Sequence, residues 1–353
     1  MRITLKIIMD EIGVKVRISS KINIIVCNRI NISNGYGSFF RMKVTIIGAG
    51  NVGATAASVL ATKNVASRVV MLDVREGFAE GKAMDMMQTS HMLGNDTVVE
   101  GCTNDFSRTA GSSIVVITSG IARKPGMSRE DLIGINAGIV KDVAERAIQA
   151  SPDAIFIVVS NPADTLTYLT LKETGLPKNR VMGMTAILDS SRFIYFLAQA
   201  IGCPTTDVEG MVIGSHGDSM VPLARYARYQ GISVRDFLSK SVLDDVINKT
   251  KNGGALLTKL VGTSAWYAPG VGIATMAEAI LHDSRKMISC SVYLDGEYGE
   301  KDVCVAVPAI LGANGVEKII TLPLNEKEKE LFRISAANAH ESIAKLKEIL
   351  AKK

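Results

Sequence analysis

A glycine-rich turn near the start of the chain has the residue types and spacing that phosphate binding requires. Three glycines follow the short apolar run 43–47, in the segment that reads Gly48, Ala49, Gly50, Asn51, Val52, Gly53. The first glycine permits a tight turn, the second lets the backbone approach a pyrophosphate, and the third allows close packing of the next helix. The free N–H groups and positive dipole end of that helix would face the phosphates.

An acidic residue follows the glycine-rich turn at the position where a contact to a ribose is expected. The apolar run 68–72 predicts a second strand, and Asp73 ends it, 20 positions after Gly53. A carboxylate at this place accepts a hydrogen bond from a ribose hydroxyl. Because a carboxylate also repels a 2′-phosphate, the pattern predicts NAD and not NADP as the cofactor.

An NAD site still needs a proton acceptor, and His216 is the best candidate among the four histidines. It lies between Ser215 and Gly217 after a predicted strand over 208–214, where a core histidine would be unusual. A structural histidine in a tight turn is the alternative. Asp189 could orient the imidazole and stabilise its protonated form.

Three arginines in loop or helix-start positions could bind carboxylates with two hydrogen bonds each. They are Arg123, Arg129 and Arg192. A solvated surface charge is the alternative for any one of them alone. Together they would polarise a carbonyl group of the substrate and bind its other polar groups.

The scaffold that positions these residues is predicted by alternating strand and helix patterns from Lys43 onward, which indicate a doubly wound parallel sheet. A helix that starts near Ser128 should bury a stripe of apolar residues, namely Leu132, Ile135, Ile139 and Val143. Strands are expected over 68–73, 97–100, 113–118, 154–160 and 180–184, the last closing this half, and helices over 51–63 and 76–91. Val159, Ser160 and Asn161 then lie at the carboxyl end of a parallel strand, where ligands bind.

The second half has the pattern of an α+β domain. Its predicted helices cover 241–260, 264–283 with an interruption at Pro269-Gly270, and 326–350, and its predicted strands cover 287–294, 302–311 and 316–320. The chain therefore divides into an atypical extension over 1–42, an NAD-binding Rossmann domain over 43–185 and a substrate domain over 186–353.

Composition excludes two classes of partner. With 353 residues and 47% hydrophobic content the chain is globular, and no apolar run approaches the ~20 residues of a membrane span. The net charge of +5 lies entirely in residues 1–42, because the rest holds 33 basic and 33 acidic residues. Without a basic face, nucleic-acid binding has little support.

The first 42 residues contain ten isoleucines and a period-2 stretch through Val14, Val16, Ile18, Ile22 and Ile24. They could form an extra strand or hairpin, act as a targeting segment, or be upstream sequence read from an early start. The last interpretation is favoured, because the first core strand begins one residue after Met42.

The five cysteines show no CxxC spacing and indicate free thiols in a reducing compartment, the cytoplasm. The four histidines are far apart, so no metal site is predicted.

Six segments in order resemble the successive signatures of the lactate/malate dehydrogenase superfamily: GAGNVG, MLDV, ARKPGMSRED, VSNPAD, LDSSRF and GSHGDS. The resemblance runs from about Lys43 to the C-terminus, and ARKPGMSR is similar to the malate dehydrogenases of the lactate dehydrogenase-like type. It departs at 262–269, where many relatives have TGSAYYAP.

The resemblance implies a role for each candidate residue. His216 would be the proton acceptor and Asp189 its partner. Arg129 would polarise the C2 oxygen, Arg192 hold the C1 carboxylate and Arg123 the distal carboxylate. Asn161 would touch both substrate and nicotinamide, and Asn136 with Val159 and Ser160 would complete the cofactor site.

The function expected from this resemblance is reversible, NAD-dependent oxidation of malate to oxaloacetate by a homodimer or homotetramer. Lactate or another 2-hydroxy acid as substrate would need a neutral residue at position 123. The NAD-dependent phosphoglycosidases of this fold would need a metal site. A non-enzymatic NAD-binding sensor is the alternative of a different class, but it has no use for a complete set of His, Asp and three Arg.

Overall fold

The computed structural model describes residues 7–10, 13–16, 42–121 and 129–352, and side chains within 42–121 and 130–352. The chain forms two compact units, Met1–Ser38 and Phe39–Lys353. In the first unit, strands β1 (Ile7–Asp10) and β2 (Gly13–Val16) pair as an antiparallel hairpin. Ile18, Ile22 and Ile24 of the predicted period-2 stretch lie outside the described residues.

Parallel strands with helical crossovers form the first half of the second unit, as the alternating pattern predicts. The strands are β3 (Lys43–Ile47), β4 (Arg68–Asp73), β5 (Val98–Thr103), β6 (Ile114–Ile117), β7 (Ile155–Val158) and β8 (Val181–Gly183). The helices are α1 (Asn51–Thr62), α2 (Phe78–Leu93), α3 (Arg129–Ala150) and α4 (Ala163–Thr174). The strand order β5-β4-β3-β6-β7-β8 reverses direction between β3 and β6, where such sheets open a ligand crevice.

β8 is the last strand of the parallel half, as expected near 180–184, but the sheet itself does not end there. The meander β14 (Lys286–Asp295), β15 (Lys301–Gly312) and β16 (Gly315–Ile319) continues the same sheet to nine strands. Ser291 of β14 pairs antiparallel with Gly183 of β8. The physical reason is that an open edge of buried backbone groups needs a partner, which β14 supplies.

The remaining elements lie between β8 and the meander or after it. The helices are α5 (Ala186–Ile201), α6 (Lys240–Val261), α7 (Tyr267–Leu281) and α8 (Glu326–Ala351). Short strands are β9 (Val208–Glu209), β10 (Val212–Ile213), β11 (Val221–Pro222), β12 (Arg228–Tyr229) and β13 (Ile232–Ser233). One apolar core lies on both faces of the large sheet, and a smaller one surrounds Phe193 and Leu197 of α5. No helix in the described part of the chain is long and apolar enough to cross a membrane.

Two predicted elements of this region are wrong in detail. The strand expected over 208–214 divides into β9 and β10, which belong to different sheets because β9 pairs with β12 and β10 pairs with β11. The helix expected to break at Pro269-Gly270 is continuous from Tyr267. Pro269 lies in its first turn, where a missing N–H costs no helical hydrogen bond.

The buried face of α3 also differs from the predicted stripe. Ile135 is 42% exposed, whereas Ile133, Asn136, Ala137 and Val140 face inward. Of the predicted stripe, Val143 is buried and Leu132 and Ile139 are half-buried. The inward face therefore carries a polar residue, Asn136, at a position that a purely apolar stripe would miss.

Gly53 gives a direct test of the helix–strand contact at the glycine turn. A Cβ at this position would lie 2.0 Å from the Gly48 carbonyl oxygen. We expect Gly53→Ala to lower the free energy of unfolding by about 1–3 kcal/mol through overpacking. Gly81→Ala is the control, because Gly81 lies inside α2 and a Cβ there would meet no described atom within 4 Å. Alanine at this position should raise the free energy of unfolding by about 0.5–1 kcal/mol. Equal urea midpoints for the two variants would contradict this account.

Candidate active site

The glycine turn joins β3 to α1 as the sequence predicts. Gly48 has a φ of +109°, and a Cβ there would lie 2.8 Å from the Ser119 nitrogen, so only glycine fits. Gly50 differs, since a Cβ would meet no described atom within 4 Å. The packing of the described chain therefore does not explain glycine at this position, as expected if its open surface admits a ligand. Asn51 begins α1, and Val52 lines a cavity beside the turn.

Asp73, at the end of β4, contacts the glycine turn directly. Its Oδ2 accepts a hydrogen bond from the Ala49 N–H at 2.9 Å, and its Oδ1 accepts from the Arg75 N–H at 3.0 Å. The Arg75 guanidinium also donates to Oδ1 at 3.1 Å. Burial alone would raise the pKa of Asp73, but hydrogen bonds from Arg75 and Ala49 hold it below its usual value. Asp73 is therefore an anion held beside the turn.

Two cavities form one groove along the carboxyl ends of the parallel strands. One, of about 470 Å³, is lined by Gly48, Gly50 and Asp73. The other, of about 570 Å³, is lined by Asn161, Arg192 and His216. They share Thr118, Gly120 and Ile121 as lining residues. A ligand in this groove would reach from the predicted ribose contact to the predicted proton acceptor.

Asn136 holds the walls of this groove together. Its Oδ1 accepts from the Ile121 N–H at 2.8 Å, and its Nδ2 donates to the Asn161 carbonyl at 2.7 Å. Nδ2 also donates to the Ile121 carbonyl at 3.1 Å. Because both ends of the buried amide have protein partners, Asn136 positions two backbone segments of the site.

The segment after β7 lines the same cavity with Val159, Ser160 and Asn161. The Ser160 hydroxyl donates to the Ser119 carbonyl at 2.5 Å, which ties the ends of β6 and β7 together. The predicted placement of polar groups at the end of this strand is thus observed.

His216 and Asp189 form a close pair, although 27 residues separate them in the chain. The imidazole Nδ1 lies 2.7 Å from Asp189 Oδ2, and the Asp189 side chain is 1% exposed. The Asp189 charge raises the pKa of His216 against burial, which would lower it. With Nδ1 engaged, Nε2 is the ring nitrogen that can exchange a proton with a molecule in the cavity.

Arg192 lies one helical turn after Asp189 in α5. Its Nη1 donates to Asp189 Oδ1 at 3.2 Å, and its side chain is 13% exposed. Its buried Nε has no hydrogen-bond partner among the described residues. The guanidinium packs against Gly253 and Gly254 of α6 and lines the cavity, so it is suited to bind a carboxylate there.

The side chains of two predicted residues lie outside the described part of the chain. Arg123 lies wholly outside it, as does Ser128, near which the sequence predicts the start of α3. Arg129 is the first residue of α3, but its side chain is likewise outside the described part. Their assignment to the substrate stays a prediction from the sequence.

Other residues at the site carried weak sequence signals or none. Thr118 and Ser119 follow β6, so the rule that ligands bind at the carboxyl ends of strands could have found them. Gly254, Ala255 and Thr258 line the cavity from the end of α6, and their spacing in the sequence gives no hint of this. Asp164 contacts the His216 backbone. An acidic residue in the first turn of a helix is ordinarily explained by its favourable interaction with the helix dipole, so the sequence gives no signal of this contact.

Three of the described thiols are poorly suited to nucleophilic chemistry. Burial raises the pKa of Cys102 to about 11 and that of Cys290 to about 12, and Cys304 is raised as well. Among the described residues, no group of three His, Cys, Asp or Glu side chains could hold a metal ion.

Comparison with known proteins gives consistent matches. Residues 42–183 match the family model for the lactate/malate dehydrogenase NAD binding domain, and residues 186–350 match the model for the lactate/malate dehydrogenase alpha/beta C-terminal domain. The chain is 63% identical to the malate dehydrogenase of Bacteroides thetaiotaomicron over 308 residues, which is 87% of this chain and 98% of that protein.

Two solved structures are similar to this chain over most of its length. The malate dehydrogenase of Salinibacter ruber superimposes with a TM-score of 0.85 at 43% identity, covering 88% of this chain and 99% of that one. A lactate dehydrogenase of Cryptosporidium parvum, complexed with lactic acid and nicotinamide adenine dinucleotide, superimposes with a TM-score of 0.83 at 34% identity, covering 87% and 98%.

The His216–Asp189 pair predicts a measurable titration. In Asp189→Asn the imidazole keeps its burial but loses the charge that favours protonation, so its pKa should be lower than in the unchanged protein. NMR of the imidazole protons over a pH series measures this, with the resonance assigned by its loss in His216→Gln.

Asp218→Asn is the matched control for this titration, because Asp218 is exposed and only two residues from His216. It should leave the His216 titration nearly unchanged. An unchanged titration in Asp189→Asn would show that the pair does not control the protonation of His216.

Proposed function

The chain belongs to the lactate/malate dehydrogenase family, and on that premise we propose that it catalyses the reversible NAD-dependent oxidation of (S)-malate to oxaloacetate. It is an oxidoreductase whose amino-terminal part is an NAD-binding domain. The observation that carries the proposal is the buried Asp189 carboxylate, which holds His216 at 2.7 Å and Arg192 at 3.2 Å beside one end of the groove.

The protein groups would act as follows. His216 Nε2 removes the proton of the C2 hydroxyl, and the Asp189 charge stabilises the imidazolium that forms. Bound NAD⁺ would supply the acceptor for the hydride that leaves C2. In the reverse direction His216 must begin protonated and returns its proton to the C2 oxygen. The groups that fit NAD are the open Gly50, the Asp73 carboxylate and the Val159–Asn161 backbone.

Substrate binding is assigned to Asn161 and three arginines. Arg192 would hold the C1 carboxylate, which is supported by its place in the wall of the cavity that His216 also lines. Arg129 would polarise the C2 oxygen, and Arg123 would bind the distal carboxylate. The loop that bears Arg123 and Arg129 lies mostly outside the described residues, and we propose that it closes over the substrate and excludes water.

We also propose a division at residue 185 between the NAD-binding and substrate domains, and a homodimer or homotetramer in the cytoplasm. The free described cysteines support a reducing compartment. Exposed apolar side chains near the end of α6 and the start of α7 support self-association: Leu256, Leu257, Leu260, Val261, Tyr267 and Val271.

The direct test is oxidation of NADH by purified protein with oxaloacetate, with pyruvate and NADPH assayed in parallel. Turnover with oxaloacetate and NADH is expected. Turnover with pyruvate in its place would favour the lactate alternative, and no turnover with either would favour an NAD-binding sensor.

Asp73 generates a prediction about the cofactor. Asp73→Ala removes the ribose contact and also frees the Arg75 guanidinium, which could then attract a 2′-phosphate. NADH binding should weaken, and the preference for NADH over NADPH should shrink, as measured by kcat/KM for each cofactor. Asp142→Ala is the control, since Asp142 lines the same cavity but pairs with Arg146. An unchanged preference in Asp73→Ala would mean that Asp73 is not at the ribose.

Arg123 generates a prediction about the substrate. Closing the loop on pyruvate would leave a guanidinium without an anion, and losing one partner of a buried charge pair costs on the order of 2–5 kcal/mol. At ~1.4 kcal/mol per tenfold, Arg123 should favour oxaloacetate by roughly a hundredfold or more. Arg123→Gln should therefore lower kcat/KM for oxaloacetate by about that factor and raise it for pyruvate, with nearly constant NADH affinity.

Arg129→Gln is the matched comparison, and it should reduce turnover of both substrates because the C2 oxygen is common to them. If Arg123→Gln left the ratio of the two substrates unaltered, the malate assignment would have to be withdrawn. A general 2-hydroxy acid dehydrogenase would remain compatible with that result.

A further inference from the structure

A second carboxylate lies against the main chain of His216. Asp164 is the second residue of α4, three positions after Asn161, and it is 5% exposed. Its Oδ2 accepts hydrogen bonds from the His216 N–H at 2.8 Å and from the Ser215 hydroxyl at 2.8 Å. The histidine is therefore held by one carboxylate through its ring and by another through its backbone.

The hydrogen bonds alone do not require a charge at this position. An amide oxygen would accept the same two bonds without the cost of burying an anion. The same loop is also held by a neutral group, since the Ser335 hydroxyl oxygen accepts from the Ser215 N–H at 2.8 Å. Asp164 Oδ1 has no hydrogen-bond partner that meets normal geometry in the described part of the chain.

Burial of Asp164 disfavours its negative charge, whereas nearby hydrogen-bond donors favour it. Burial raises the pKa of Asp164 above its usual value, and the nearby Ser291 hydroxyl, the His216 N–H and the Ser215 hydroxyl offset this rise only in part. Cys304 of β15 is a titratable neighbour, and burial keeps its thiol protonated. The charges that act on the His216 ring from the described residues are Asp189 and Arg192 of α5 and Asp164 of α4.

We propose that Asp164 is a positioning residue for proton transfer, which fixes the His216 backbone and whose negative charge favours the imidazolium formed during malate oxidation. The proposal rests on the proposed function, and it adds a second anion to the Asp189 partner of the ring. Asp164 touches neither substrate nor cofactor in this scheme. It acts through His216.

Asp164→Asn tests the charge, because asparagine keeps the size of the side chain and one acceptor oxygen. Oxaloacetate reduction needs the imidazolium, so its rate falls as pH rises through the pKa of His216. Removing the Asp164 charge should lower that pKa and move the fall to lower pH. We expect the ratio of kcat/KM at pH 8 to that at pH 6 to drop about threefold or more relative to the unchanged enzyme.

Ser335→Ala is the matched control, because it removes a neutral anchor of the same loop. It can lower kcat, but the ratio between the two pH values should stay as in the unchanged enzyme. A merely structural role for Asp164 would give the same pattern in Asp164→Asn, and that result would overturn the proposal.

Two further measurements keep the test decisive. NMR titration of His216 in Asp164→Asn measures the lowering of the His216 pKa without any turnover. If the protein does not reduce oxaloacetate, the proposed function is overturned, but the effect of Asp164 on the His216 pKa can still be tested. If Asp164→Asn does not fold, Asp164→Ser replaces it. Serine also removes the charge and keeps an acceptor oxygen, so the fall should move to lower pH as well, and an unchanged profile would overturn the proposal.

Discussion

One buried carboxylate organises the chemistry of this protein. Asp189 accepts from Arg192 with one oxygen and lies 2.7 Å from the His216 ring with the other. A single anion inside the protein thus orients both the proposed proton acceptor and the proposed carboxylate-binding group. Both cations would be costly to bury without it, and both face a cavity that can admit a third charged group, the substrate.

This arrangement also links protonation to stability. The Asp189 charge raises the pKa of His216 above its ordinary value of 6.5. The folded chain therefore binds this proton more tightly than the unfolded chain. The resulting stabilisation is fully present below pH 6.5 and is lost as pH rises through the raised pKa of the folded state. The same property favours the protonated imidazole that the proposed mechanism needs for oxaloacetate reduction.

The nine-stranded sheet explains why these groups meet the cofactor groove. The parallel strands carry the glycine turn, Asp73 and the Asn161 segment at one edge, where their carboxyl ends converge. Gly183 of β8 pairs with Ser291 of the meander, which joins the second half to the same sheet. Asp164 of α4 and Ser335 of α8 then anchor the loop that bears His216. The proton acceptor is therefore held by three helices, since Asp189 comes from a third.

The sequence by itself determined the features that depend on local geometry. The spacing of Gly48, Gly50 and Gly53, the acidic end of the second strand and the alternation of strands with helices each follow from short-range rules, and the structure has all of them. His216 could be selected as a candidate because it follows a strand between small residues. The resemblance of six ordered segments led to the family that the comparisons bear out.

Only the tertiary structure decided what depends on contacts between distant segments. It joined the meander to the parallel sheet, turned Asn136 inward in place of Ile135, and brought the end of α6 against Arg192. It also placed Asp164 behind His216, 52 residues away in the chain. The physical reason is that periodicity tells which face of an element is buried, but not which partner covers it. Whether a polar residue can be buried depends on its hydrogen-bond partner. That partner is distant in the sequence and comes close only in the folded chain.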